Sequence, residues 1–394
     1  MARTFTEGSK AVAEVIRVCR PNVVSAYPIT PQTHIVEELS AMVANGRLKA
    51  ESVNVESEFS AASVVLGASA TGARTYTATT SQGMLLMTEV LFNISGMRLP
   101  VVLTCANRAV SAPINIWNDQ QDSISVRDAG WIQLYAEDIQ EAADLHLQAF
   151  RIAEHPDVLL PVMVCMDGFV LTHSYEPVDL VSQEEADEFL PPYRPEYYLT
   201  PKDPLTYGAM LGPEAYMESR YQLDKALRDS SRMIVEVAGE FKKKIGRYQG
   251  ALIDTYKTED AEVILVAMGS VLSTIKEAVD KLRDEGGQKV GVLKVRSFRP
   301  FPKEEVYSAL EGASDVLVMD RAFSPGSGGV LTTEVKATFC GRKSTANIKG
   351  HIIGLGGRDM TVESILNVIN DRAVVSGQDK VVDLNESLLG GQKL

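Results

Sequence analysis

Short, uninterrupted apolar runs alternate along this chain with apolar positions spaced for one face of a helix. PVVLTCA (100–106) and VLLPVMVCM (158–166) read as strands, while Ile139, Ala143, Leu147 and Phe150 recur at helical spacing between them. Strands apolar on both faces and separated by amphipathic helices predict a parallel sheet covered on both sides. The rhythm fails from residue 176 to about 225, where FLPPYRPEYYLTPKDPLTYGAMLGPEAY is rich in proline and tyrosine and has no clear period. Its aromatics need somewhere to bury, so an ordered arm over a neighbouring subunit is expected there rather than a flexible tether.

The pattern resumes near Ala261. VILVAMG, then Leu272, Ile275, Val279 and Leu282, then VGVLKV, DVLVMD, the glycine-rich SPGSGG (324–329), a helix from Val330, HIIGLGG and a helix from Thr361 form a second strand–helix series. The expected layout is a doubly wound α/β domain over 1–175, an irregular connecting arm with a helical part over 176–259, and a second α/β domain over 260–394. SPGSGG lacks the Lys-Ser/Thr of a P-loop and is read as a tight turn rather than a phosphate cradle.

Composition narrows the class. The chain has 394 residues, enough for two or three domains, with 45% hydrophobic content and a net charge of −13. That acidity, with the basic residues dispersed, argues against nucleic acid and anionic membranes as partners. No apolar run approaches the roughly 20 residues of a membrane span, and MARTFTEGSK lacks the apolar core of a signal peptide. A cytoplasmic protein is expected. Cys19, Cys105, Cys165 and Cys340 are far apart and form no cluster-binding run. No iron–sulfur cluster is expected in this chain, and the cysteines read as small hydrophobes.

The candidate chemistry lies in ESEFSAASVVLGASATGARTYTATTSQG (56–83). An acidic residue at a helix start by itself only complements the helix dipole, worth roughly 0.3–1 kcal/mol. Here Glu58 is followed by a small-residue helix and a Ser81–Gln82–Gly83 loop, an order that suits thiamine diphosphate, whose aminopyrimidine N1′ requires a carboxylate partner. YPITP (27–31) precedes this segment and NRAVSAPINIWNDQQDS (107–123) follows it. In that order the three motifs closely resemble the alpha subunit of pyruvate:ferredoxin oxidoreductase, from about Val12 into the 190s and more loosely beyond. The second strand–helix series resembles the C-terminal domain of transketolase-like enzymes.

The resemblance implies a pyrimidine-type thiamine diphosphate-binding domain followed by a transketolase C-terminal-like domain. It implies that Glu58 is the catalytic carboxylate, and that Tyr27, Pro28, Ile29, Ser81, Gln82 and Gly83 surround the coenzyme. The Thr30 hydroxyl would bond the oxoacid, and Arg108, at the carboxyl end of a strand where open α/β sheets bind ligands, would hold its carboxylate. A Gly-Asp-Gly turn with a downstream Asn is missing; MDG (166–168) lacks the first glycine. Mg²⁺ and the diphosphate ligands are therefore expected on a partner chain, with [4Fe–4S] clusters on cysteine-rich partners among beta, gamma and delta subunits. No metal site is expected here, and His34, His146, His155 and His173 are read as structural.

The implied reaction is reversible oxidative decarboxylation of pyruvate with coenzyme A, giving acetyl-CoA, carbon dioxide and reduced ferredoxin. A sister enzyme acting on oxalate or 2-oxoisovalerate stays open, as does a scaffold role in which Glu58 is only a helix-start acid. A transketolase or 2-oxoacid dehydrogenase component would use the same domain order, but NRAVSAPINIWNDQQDS argues against it. Which residues of Asn115 to Asp122 touch ligand is not legible.

Overall fold

The computed structural model describes residues 2–370 and 379–389, which divide into two compact units. The first runs to Asp254 and takes in Met268–Ser270 and Val295–Pro302. Its elements are β1 (Ala2–Glu7), α1 (Gly8–Cys19), β2 (Val23–Ser25), α2 (Thr33–Ala44), β3 (Glu51–Val53), α3 (Glu58–Ala70), β4 (Thr75–Thr79), α4 (Ser81–Gly96), β5 (Val102–Asn107), α5 (Gln121–Ser125), β6 (Ile132–Tyr135), α6 (Ile139–Ala153), β7 (Val162–Asp167), β8 (Tyr175–Leu180), α7 (Gln183–Phe189) and α8 (Pro213–Ile245).

Strands β6, β7, β5, β4, β2 and β3 lie side by side in that order and in parallel. Every residue of β4, β5 and β7 is buried, as expected for strands covered on both faces. Helix α6 starts where Asp138 accepts the backbone N–H of Glu141 at 2.7 Å, and it is buried almost all round because α1 and α8 cover its outer side. Strands β1 and β8 pair antiparallel, bringing the end of β1 to the chain that leaves β7.

Two elements depart from the sequence reading. The strand Ser297–Arg299, which follows the second series' VGVLKV, adds antiparallel to β6 of the first unit. Its neighbour Arg296 is buried against α6, with Nε 2.9 Å from Glu141 Oε1. Helix α8 reaches back to Pro213, into the stretch without legible period. Its first turns expose Tyr216, Met217 and Tyr221, so no core-facing stripe marks them; proline in the first turn and left-handed Gly246 at the end bound it. The irregular segment before it lies along this chain's own surface, where Leu199 donates to the Ala70 carbonyl and Arg74 to that of Pro191, both at 2.8 Å.

The second unit contains the latter half of β9 (Ile253–Tyr256), β10 (Val263–Ala267), α9 (Val271–Gly286), β11 (Val290–Val295) up to Lys294, α10 (Lys303–Leu310), β13 (Asp315–Asp320), the short pair β14 (Phe323–Ser324) and β15 (Gly328–Gly329), α11 (Val330–Phe339), β16 (Asn347–Ile352), α12 (Val362–Asn370) and β17 (Lys380–Val381), with β12 being the Ser297–Arg299 strand above. The sheet order is β17-β16-β13-β10-β11-β9. SPGSGG is the tight turn the sequence suggests. The N–H groups that would cradle a phosphate are already taken, Leu331 and Thr332 by the Asp320 carboxylate at 2.6 and 3.0 Å, and Gly329 by Asp379 at 2.6 Å.

Candidate functional site

Helix α3 begins at Glu58 because Ser57, in extended conformation, accepts the N–H of Ser60 and caps it. Glu58 is 7% exposed, yet among the described residues nothing donates to its carboxylate. Opposite it lies Gly83. A Cβ on Gly83 would come within 2.7 Å of Glu58 Oε1, so only glycine leaves room there. Thr79 Oγ1 and Gln82 Nε2 are also buried without a partner among the described residues. Residues 81–83 are not the loop expected from sequence but the first turn of α4, with Ser81 at φ 48°. The helix can start in this buried place because Asp122 accepts the Ser81 N–H at 2.9 Å.

The Tyr27–Pro31 turn leads into α2, whose N-cap is Gln32. Tyr27, Pro28 and Thr30 are exposed, and Ile29 is partly buried. Gln32 pins the turn from beneath, its Nε2 donating to the carbonyls of Tyr27 at 2.9 Å and Ala78 at 3.1 Å. The Pro31 ring fits over Gly168, where a Cβ would come 2.5 Å from Pro31 Cγ.

Arg108 follows β5 directly, and its side chain is tied to that turn. Nη1 donates to the Thr30 carbonyl at 2.9 Å and Nε to the Asn115 carbonyl at 3.0 Å. Nη2 has no protein partner among the described residues. Burial lowers the pKa of this guanidinium from its ordinary value, and the Asp122 charge opposes the shift.

Asp122 joins these pieces, and sequence reasoning did not single it out. It is wholly buried. Its Oδ2 accepts the N–H groups of Ser81 and Arg108, both at 2.9 Å, and its Oδ1 accepts Asn107 Nδ2 at 2.8 Å and the Ser123 N–H at 2.7 Å. Burial raises its pKa, and these donors work against the rise. The one sequence signal was an acidic residue inside a polar run that follows a strand end.

Asp167 of MDG is engaged within the protein, accepting the N–H of Ser270 at 2.7 Å and its hydroxyl at 2.5 Å. His146 is structural, as read. It is wholly buried between Thr104 Oγ1 at 2.5 Å and the Ala142 carbonyl at 2.6 Å, and burial pushes its pKa down to about 4. His34 and His173 instead converge with Glu7, their donor atoms all within 4.8 Å of one another. Cys19, Cys105 and Cys165 are buried and Cys340 is exposed.

Residues 14–238 match the family described as "Pyruvate flavodoxin/ferredoxin oxidoreductase, thiamine diP-bdg", and residues 261–365 match "Pyruvate:ferredoxin oxidoreductase core domain II". The chain is 55% identical to pyruvate synthase subunit PorA of Methanosarcina barkeri, over 97% of each chain. It is 44% identical to ketoisovalerate oxidoreductase subunit VorA of Pyrococcus horikoshii, again over 97% of each. In fold it is similar to 2-oxoglutarate:ferredoxin oxidoreductase from Magnetococcus marinus, a structure with 2-oxoglutarate, coenzyme A and succinyl-CoA bound, at a TM-score of 0.73 and 19% identity. That alignment covers 94% of this chain, which spans 65% of the solved one. A family match covering more than half of the chain, joined to relatives of this identity over 97% of their length, makes the chain a member of the pyruvate flavodoxin/ferredoxin oxidoreductase family.

Proposed function

We propose that this chain is the alpha-type subunit of a thiamine diphosphate-dependent pyruvate:ferredoxin oxidoreductase, active in a complex with other subunits. The observation that carries the reading is the Glu58 carboxylate: buried, given no hydrogen bond by the described residues, and facing a position where only glycine leaves space. A largely buried carboxylate to which no protein group donates is free to take a ligand, and a ring nitrogen that shares a proton with it would supply the missing hydrogen bond. The unpartnered Thr79 Oγ1, which borders the same Gly83 position, and the unpartnered Gln82 Nε2 of the next residue fit a polar heterocycle in the same way.

When bound, thiamine diphosphate supplies a nucleophilic carbon that adds to the oxoacid carbonyl. This chain's residues prepare that chemistry. Glu58 holds the proton at N1′. Tyr27, Pro28 and Ile29 together with Ser81, Gln82 and Gly83 would hold the pyrimidine. Arg108, its Nε and Nη1 fixed on protein carbonyls, would offer Nη2 to the carboxylate of pyruvate. The Thr30 hydroxyl, on an exposed and pinned turn, offers the oxoacid a further bond.

The diphosphate, Mg²⁺ and the [4Fe–4S] clusters belong on this reading to partner chains of beta, gamma and delta type, with ferredoxin taking the electrons and coenzyme A the acetyl group. Phe59 on α3 and Leu85, Leu86 and Phe92 on α4 are exposed large apolar side chains, which supports such a contact. No helix among the described residues is long and apolar enough to cross a membrane, consistent with a cytoplasmic complex. The ketoisovalerate relative supports one second reading, a branched-chain oxoacid as substrate. Ferredoxin reduction by the reconstituted complex, with pyruvate and 2-oxoisovalerate compared by kcat/KM, tests both. Pyruvate is expected to lead; preference for 2-oxoisovalerate would replace the substrate assignment, and no oxoacid-dependent reduction would end the proposal.

A further inference from the structure

We propose that Glu7, His34 and His173 form a binding site for a divalent transition-metal ion of the zinc class. Glu7 ends β1, His34 is in the first turn of α2, and His173 lies in the turn between β7 and β8. One donor atom from each lies within 4.8 Å of the other two, and Glu7 Oε1 is 2.6 Å from His34 Nδ1. Zinc holds oxygen and nitrogen donors at about 2.0–2.2 Å, so tetrahedral donors stand roughly 3.3 Å apart. That separation falls between the short Glu7–His34 spacing and the outer limit of the group. Side-chain rotations of about an ångström close the shell and leave a fourth position for water.

The chemistry of the set is as informative as its spacing. Two imidazoles and one carboxylate are ligands that zinc-class ions favour over magnesium. The Glu7 side chain is only 7% exposed, and a buried carboxylate requires a compensating positive charge. A second imidazole, that of His173, stands 4.6 Å from the His34 ring, centroid to centroid, so two nitrogen ligands and the carboxylate meet at one point. A metal ion satisfies all three groups at once.

The surroundings hold His173 as a ligand is held. Thr172 Oγ1 lies 2.7 Å from its Nδ1 while accepting the Phe169 N–H at 2.8 Å, which leaves Nε2 for a metal. The Phe169 ring backs the imidazole at 4.9 Å. The outer side is open to entry, since the His34 side chain is 45% exposed. A bound ion would join the end of β1, the start of α2 and the turn after Gly168, the glycine on which Pro31 rests. It would therefore brace the Tyr27–Pro31 turn, whichever oxoacid that turn faces.

The test uses the full chain carrying Cys340→Ser, which removes the exposed thiol as a competing ligand. Equilibrium dialysis against zinc chloride, followed by metal analysis, is expected to give one tightly held zinc ion per chain. Glu7→Gln nearly keeps the side-chain volume, and His34→Gln alters a half-exposed residue, so both spare the core. Each is expected to weaken zinc binding by about tenfold or more, while His155→Gln, away from the cluster, leaves it unchanged. Failure of the parent chain to hold stoichiometric zinc, or full affinity in either cluster variant, would overturn the proposal.

Discussion

The carboxylate of Asp122 accepts the backbone N–H of Arg108 at 2.9 Å, with the same oxygen 2.9 Å from the N–H of Ser81. One buried side chain thus fixes both the residue proposed to hold substrate and the helix start proposed to face the coenzyme. Asp122→Asn puts an NH₂ group where donors already converge on both oxygens, and no rotation of the amide avoids the clash of donors. Leaving such groups unsatisfied costs about 1–3 kcal/mol. The variant is expected to unfold at lower denaturant and, in the complex, to lose kcat/KM for pyruvate. Unfolding and steady-state assays check this; wild-type values in both would remove Asp122 as the link.

The elements that carry the candidate site were legible in the sequence because they are local. Glu58 at a helix start, Arg108 at the end of an apolar strand and the rigid YPITP turn each follow from a few consecutive residues, and the structure has all three elements where they were expected. Asp122 was not legible as a hub, because apart from the adjacent Ser123 its donors, Ser81, Asn107 and Arg108, lie 14 or more residues from it and are brought to it by the order of the sheet. Strand β12 escaped for another reason: three residues carry no measurable period. The meeting of Glu7, His34 and His173 depends on the pairing of β1 with β8, a long-range event that no spacing rule reports.

Substrate contacts separate by size of effect. Arg108→Ala removes a charged donor, worth roughly 1.5–3 kcal/mol, whereas Thr30→Ala removes a neutral hydroxyl worth about 1 kcal/mol and keeps the carbonyl that orients Arg108. The KM for pyruvate is expected to rise about 10- to 100-fold in the first and about fivefold in the second, with the KM for coenzyme A little changed. Steady-state kinetics with each substrate varied separately decide this. An unchanged pyruvate response in Arg108→Ala would return that residue to a structural role.

The histidine buried under the sheet sets an acid limit. Folded His146 stays neutral to about pH 4, while in the unfolded chain it takes a proton below about pH 6.5. Between these values the unfolded state binds more protons, so stability falls as pH falls, by about 3 kcal/mol over the window. His351 in the second unit, lowered to about 4 by burial, adds its own share. Replacing His146 with Gln is expected to lower stability near neutrality and to flatten the decline between about pH 7 and about pH 5. Urea midpoints across that range measure the slope, and an unaltered slope in the variant would contradict the assignment.

Glu58 is the proposed proton partner of the coenzyme. An amide in its place keeps the shape of the side chain and the start of α3, which depends on Ser57, but cannot share a proton with N1′. The decisive measurement is pyruvate-dependent ferredoxin reduction by the assembled complex carrying Glu58→Gln, with assembly verified in the same preparation. General acid–base steps contribute about 10²- to 10⁴-fold, and turnover is expected to fall by at least that much in an intact complex. Near-normal turnover in that complex would contradict the account and remove Glu58 from the site.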